Sequence, residues 1–104
     1  TVTYVAPSDP VGIYTAPVGY SCVVLLAQAT NVDTPAHTVS LDHVRITAGI
    51  AVTTPVVKSM AIQGHDTINL TQGKLVLEAG DSLKLSASNP NHVKFIGSIL
   101  ETLN

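Results

Sequence analysis

The chain has 104 residues, 45% of them hydrophobic and 12% charged, with a formal net charge of −2. That length fits one domain with a modest core, and so hydrophobic a composition excludes a disordered chain. Soluble domains carry about 25% charged residues, so much of this surface must be Thr, Ser, Asn and Gln, and the singly placed Arg45, Lys58, Lys74, Lys84 and Lys94 argue against nucleic acid as a partner.

Val, Ile, Thr and Leu recur between closely spaced turn residues, and no 3.6-residue apolar stripe of helical length appears. Strands are therefore expected throughout. Thr1 to Ala6 reads as the first, ended by Pro7-Ser8-Asp9-Pro10, and residues 1–10 have the makings of an extended N-terminal arm. Gly12 to Ala16 is short and extended, and Pro17-Val18-Gly19-Tyr20 turns the chain. Tyr20 to Asn31 is a long strand whose centre is nearly all apolar, so both of its faces are expected to be covered. Its run Cys22 to Ala27 is far shorter than the roughly 20 residues of a membrane helix, and no signal-peptide pattern is visible. Cys22 is the only cysteine; it can make no intrachain disulfide and is expected to pack as a small hydrophobe.

After the turn Asp33-Thr34-Pro35, His37 to Thr47 alternates but changes phase, which predicts a bulge near Asp42. Ala51 to Ile62 is a further strand, and Pro55 within it marks a sheet edge or a loop entry. Gln63-Gly64-His65-Asp66 turns the chain into Thr67 to Thr71. Leu75 and Leu77 share one face of the next strand, and Leu83 and Leu85 one face of the one after. Asn89-Pro90-Asn91 leads into a last strand, His92 to Leu103, with Val93, Phe95, Gly97, Ile99 and Glu101 on one face. About eight short strands with frequent turns predict an all-β, single-domain antiparallel β-sandwich over residues 1–104, of jelly-roll or immunoglobulin-like type.

Signals for chemistry are sparse. His37, His43, His65 and His92 form no HxH or HxxxH pair and there is no cysteine pair, so surface histidines and no metal site are expected. Asp33, Asp42, Asp66, Glu78 and Asp81 supply carboxylates, but nothing fixes two of them across a cleft. There is no GxSxG and no glycine-rich phosphate loop. No enzyme activity and no cofactor are expected. The stretch TQGKLVLEAGDSLKLSAS, residues 71–88, has the LxxGD pattern found at turns of cupin barrels, without the spaced histidines and glutamate of a cupin metal centre. It is expected to be a β-hairpin: Gly80 takes positive φ, Asp81 accepts main-chain N–H bonds, and the four leucines point inward.

In order along the chain, these segments resemble small virion proteins of tailed bacteriophages. Ile13 to Tyr20, IYTAPVGY, resembles the "YTVPAG" opening of those proteins, and Val23 to Val32, VVLLAQATNV, resembles the strand that follows it. Gly73 to Ser88, GKLVLEAGDSLKLSAS, resembles the "GKLVLEAGDSI.V.AS" hairpin, and Ser98-Ile99-Leu100-Glu101 stands where the closing strand carries "SVLE". The resemblance spans most of Ile13 to Thr102 and leaves Thr1 to Pro10 and Ala48 to Gly64 unmatched.

It implies a non-enzymatic structural role on the particle. The first expectation is a capsid decoration, or cement, protein; the alternative is a neck, tail or baseplate component. Expected partners are capsid or other virion proteins and further copies of the chain, as dimers or trimers, with no nucleic acid and no membrane; the expected location is the virion, assembled in the host cytoplasm. The unmatched segments are the expected contact surfaces: Val2, Tyr4, Pro7, Pro10, Pro55 and Val56. Removal of Thr1 to Asp9 is expected to weaken assembly more than folding. A receptor- or glycan-binding module, with an exposed pocket, and a small cupin-like enzyme, with a bound metal, are the readings from other classes.

Overall fold

The computed structural model describes residues 1–71 and 75–103. Nine strands are formed: β1 (Val2–Val5), β2 (Val11–Thr15), β3 (Tyr20–Asn31), β4 (His37–Thr47), β5 (Ile50–Ile62), β6 (Thr67–Asn69), β7 (Leu75–Leu77), β8 (Ser82–Ala87) and β9 (Val93–Leu103). No helix occurs among the described residues. One sheet has the order β1-β9-β3-β6, with β7 also on β3, and the other the order β2-β8-β4-β5. Every pairing is antiparallel.

The strands pair as a nest. β1 lies on β9, β2 on β8, β3 on β6 and β7, and β4 on β5. This is one long hairpin rolled over on itself, with its tip at the β4–β5 turn and its limbs passing back and forth between the sheets. Counting β6 and β7 as one interrupted strand along β3, it is the eight-stranded jelly roll. The tip is Ala48-Gly49, with φ of 52° and 78°, a two-residue turn whose twist suits the flanking strands.

Period-two alternation builds the core. Val24, Leu77 and Val93 from the first sheet and Leu41, Leu83 and Leu85 from the second are fully buried. On β9 the faces divide as the sequence predicts, with Val93, Phe95 and Gly97 inside and Lys94 and Ile96 outside. Pro55 lies on an edge strand, and the β4–β5 register shifts around Leu41 and Asp42, where β5 carries the extra residues. Cys22 is buried.

Three expectations are overturned. The Leu75–Leu85 stretch is not a hairpin: β7 pairs with β3 and β8 pairs with β2 and β4, so the Gly80-Asp81 turn carries the chain from one sheet to the other. Both leucine pairs point inward in either arrangement, so the hydrophobic pattern does not separate them. The N-terminal lead is not a free arm, because β1 is docked on β9, Ala6 is fully buried, and Pro7 accepts a main-chain bond from Ala87. The centre of β3 is covered on one face alone. Val23 and Leu26 are half-buried on the outside and Leu25, in a bulge, is exposed.

Candidate functional site

At one end of the sandwich the inter-sheet turn is locked by a buried charge. Glu78-Ala79-Gly80-Asp81 closes with the Asp81 N–H on the Glu78 carbonyl at 2.9 Å, and Gly80 has φ of 89°, so the reversal and its glycine are as the sequence predicts. The Asp81 side chain does more than cap the turn. His43 and Arg45, two apart on β4, share a strand face and converge on it. Arg45 donates from Nε to Oδ1 at 3.0 Å and from Nη2 to Oδ2 at 2.7 Å, a bidentate fork. His43 Nε2 and the Glu78 N–H both lie 3.0 Å from Oδ2. The Arg45 fork, followed by His43 and the Glu78 N–H, outweighs burial and holds the Asp81 carboxyl far below the usual carboxylate range.

Beside this lock, Tyr14 on β2 donates its hydroxyl to Glu101 Oε2 on β9 and lies 3.3 Å from Cys22 Sγ on β3. Burial, then the bonds to Cys22 and Glu101, keep the phenol protonated well above its ordinary range. These contacts bridge the sheets and are structural.

The opposite end carries a second polar cluster. Buried Asn31 donates from Nδ2 to the Pro35 and Ile62 carbonyls, at 2.8 and 3.1 Å, and accepts the Asp33 N–H at 2.9 Å. Asp33 is thereby set beside two imidazoles, with its Oδ2 2.9 Å from His37 Nε2 and 3.6 Å from His92 Nδ1. The hydrogen bond to His37, then that from the Thr34 N–H, lowers the Asp33 carboxyl below its ordinary range. His37 is buried and His43 nearly so, which corrects the expectation that the histidines are solvated.

Asp33, His37 and His92 offer three ligand atoms within 4.8 Å of one another, the donor types of a zinc site. The two rings, however, are stacked, with centroids 5.1 Å apart and planes only 6° from parallel. An imidazole binds metal along its in-plane lone pair, and parallel planes share no point. The cluster as built is a hydrogen-bonded acid–imidazole stack, and at least one ring would have to turn for a metal to be held.

Two surfaces stand out for their apolar character. The β4–β5 hairpin runs past β8, whose last pairing with β4 is Val44 with Ser82. Beyond it Ile46, Ile50 and Val52 are 65%, 67% and 53% exposed, and Ile46 to Val57 carries no charge. On the outer face of the first sheet the register sets Leu100 and Val76 on either side of Val23, with exposed Leu25 alongside. Farther along that sheet, Thr3, Val5, Thr30, Lys94 and Ile96 line a shallow groove of about 600 Å³.

The residues expected at the surface divide. Tyr4, Pro10 and Pro55 are exposed and Pro7 is half-buried. Val2 and Val56 instead pack against the core, Val2 opposite Gly97 on the inner side of β9. The converging side chains around Asp81 and Asp33 are not foreseen by sequence spacing. Asp33 and His37 do stand four apart across Pro35, a DxxxH signal, whereas His92 comes from the far end of the chain. Comparison with protein-family models, with characterised proteins and with solved structures finds no match to this chain.

Proposed function

We propose that this chain is a non-enzymatic structural subunit of a tailed-bacteriophage particle, a capsid decoration protein that binds the capsid surface and stabilises it. The observation that carries the reading is the β4–β5 hairpin, charge-free from Ile46 to Val57 and exposed from Ile46 to Pro55. An exposed apolar surface of this kind marks an interaction site, and each Å² it removes from water contributes about 25 cal/mol, set against the cost of association. The apolar outer face around Val23 and Leu100 offers a second contact. The phage resemblance of Ile13 to Thr102 supplies the class of partner. The jelly roll is compatible with it, although the same architecture also serves lectins and cupins.

The test is binding to capsids stripped of their decoration. The purified chain should co-sediment with them and raise the temperature at which they release their genome. Ile50→Asp with Val52→Asp, both exposed, should abolish binding without changing the fold. Stripped capsids that neither bind the chain nor gain heat resistance from it overturn the reading.

A further inference from the structure

Beyond Val44 the β4–β5 hairpin presents main-chain groups that no neighbouring strand among the described residues takes up. In a two-residue hairpin the residues flanking the turn, here Thr47 and Ile50, bond to each other, and antiparallel pairs then alternate between bonded and non-bonded. The register runs unbroken from Thr47–Ile50 to Asp42–Pro55. Val52 and Thr54 therefore bond inward to β4, while Ala51, Thr53 and Pro55 face outward from the sheet edge. Pro55, which has no N–H, falls at an outward position where β4 loses nothing by its presence. Ala51 and Thr53 are left with both an N–H and a C=O on the free edge.

We infer that β5 pairs antiparallel with β5 of a second copy of this chain, across a two-fold axis at Val52. In that register Ala51 of each copy faces Thr53 of the other, and the two pairs exchange four main-chain bonds. The Val52 axis is the register that uses both the N–H and the C=O of Ala51 and of Thr53. An axis at Thr53 also makes four bonds but leaves each Ala51 C=O opposite Pro55, which has no N–H to give, and an axis at Ala51 sets Thr53 opposite Gly49 in the turn. A two-fold contact brings like against like, and a segment without charge from Ile46 to Val57 does so without repulsion. Val52 meets Val52, and Ile50 meets Thr54, on the added ladder. The overlap ends at the turn, so it spans residues 49–55 of each copy. That is well below the roughly 20–30 residues a side of a stable interface. The free chain is thus a weak dimer, and the pairing strengthens where a particle surface holds copies side by side.

This inference rests on the reading of the chain as an assembly subunit, but its test needs no capsid. Val52→Cys sets two thiols on a non-bonded antiparallel pair, with Cα atoms about 4.5 Å apart, inside the range a disulfide bridges. Ala51→Cys and Thr53→Cys set like thiols about 8 Å apart along the offset strands, beyond that range. All three positions are exposed and the native Cys22 is buried. In a glutathione redox buffer at equal concentrations, the Val52→Cys chain should give at least fivefold more disulfide-linked dimer than either control. A yield for Val52→Cys no higher than for the controls overturns the pairing. Capsid binding scored separately keeps the two claims apart. Binding without the cross-link removes only the β5 dimer, and the cross-link without binding removes only the assembly reading.

Discussion

Replacing Asp81 by Ala removes the carboxylate that ties the inter-sheet turn to β4. The side chain is only 3% exposed and accepts from Arg45 twice, from His43 and from the Glu78 N–H. Hydrogen bonds to a buried charged group contribute about 1.5–3 kcal/mol, and removing one member of a buried pair costs about 3–5 kcal/mol. Arg45 is 44% exposed and can turn to water, which moves the loss to the low end, about 3 kcal/mol. Urea unfolding measures it directly, and in a domain of this size the melting temperature should fall by roughly 12–20 °C. The carboxyl titrates lower folded than unfolded. The stability it contributes is therefore present above the unfolded value of about 3.9 and is lost as the pH falls below that towards the folded value. The gap between wild type and Asp81→Ala should stay constant from pH 7 to 5 and shrink between pH 4 and 2. A gap under about 1 kcal/mol at pH 7, or one that does not shrink in acid, would refute the lock.

Three further changes probe the frame. A Cβ on Gly64 would lie 1.8 Å from the Thr34 carbonyl oxygen and 2.6 Å from its carbon, so Gly64→Ala must displace main chain and should cost about 3 kcal/mol, read by urea unfolding. Tyr14→Phe deletes the hydroxyl shared by Glu101 and Cys22 and should cost about 1 kcal/mol with no change in circular dichroism. Deleting Thr1 to Asp9 strips β1 from β9 and uncovers the site of Ala6; thermal melts should show a loss of folding stability as large as any loss of assembly, reversing the expectation from sequence.

The sequence is most legible where one local rule decides. Val93 to Gly97 alternates cleanly and the structure keeps its faces, and Pro55 announces an edge because no central position tolerates it; the phase change after Leu41 marks the right place but the wrong strand, because β4 pairs unbroken with β8 and the extra residues lie in β5. Partner choice between strands is not legible in this way. Leu75, Leu77, Leu83 and Leu85 point inward whether their strands form a hairpin or lie in opposite sheets, so the pattern is silent on which. The polar clusters escape for a related reason. Asp81, His43 and Arg45 meet through β4 and the turn, and the Asp33–His37 pair meets His92 from the far end of the chain, and such convergence exists only once the sheets are stacked. The two candidate contacts that pack half-buried against the core, Val2 and Val56, lie in segments whose sheet partners sequence alone does not supply.

The central claim is that this chain covers a capsid. Quantitative mass spectrometry of purified particles carrying it measures that most directly, as copies per particle. A decoration protein follows the capsid lattice and should be present on the order of hundreds of copies. On the order of a dozen copies, the count of a ring at the neck, tail or baseplate, would contradict the account.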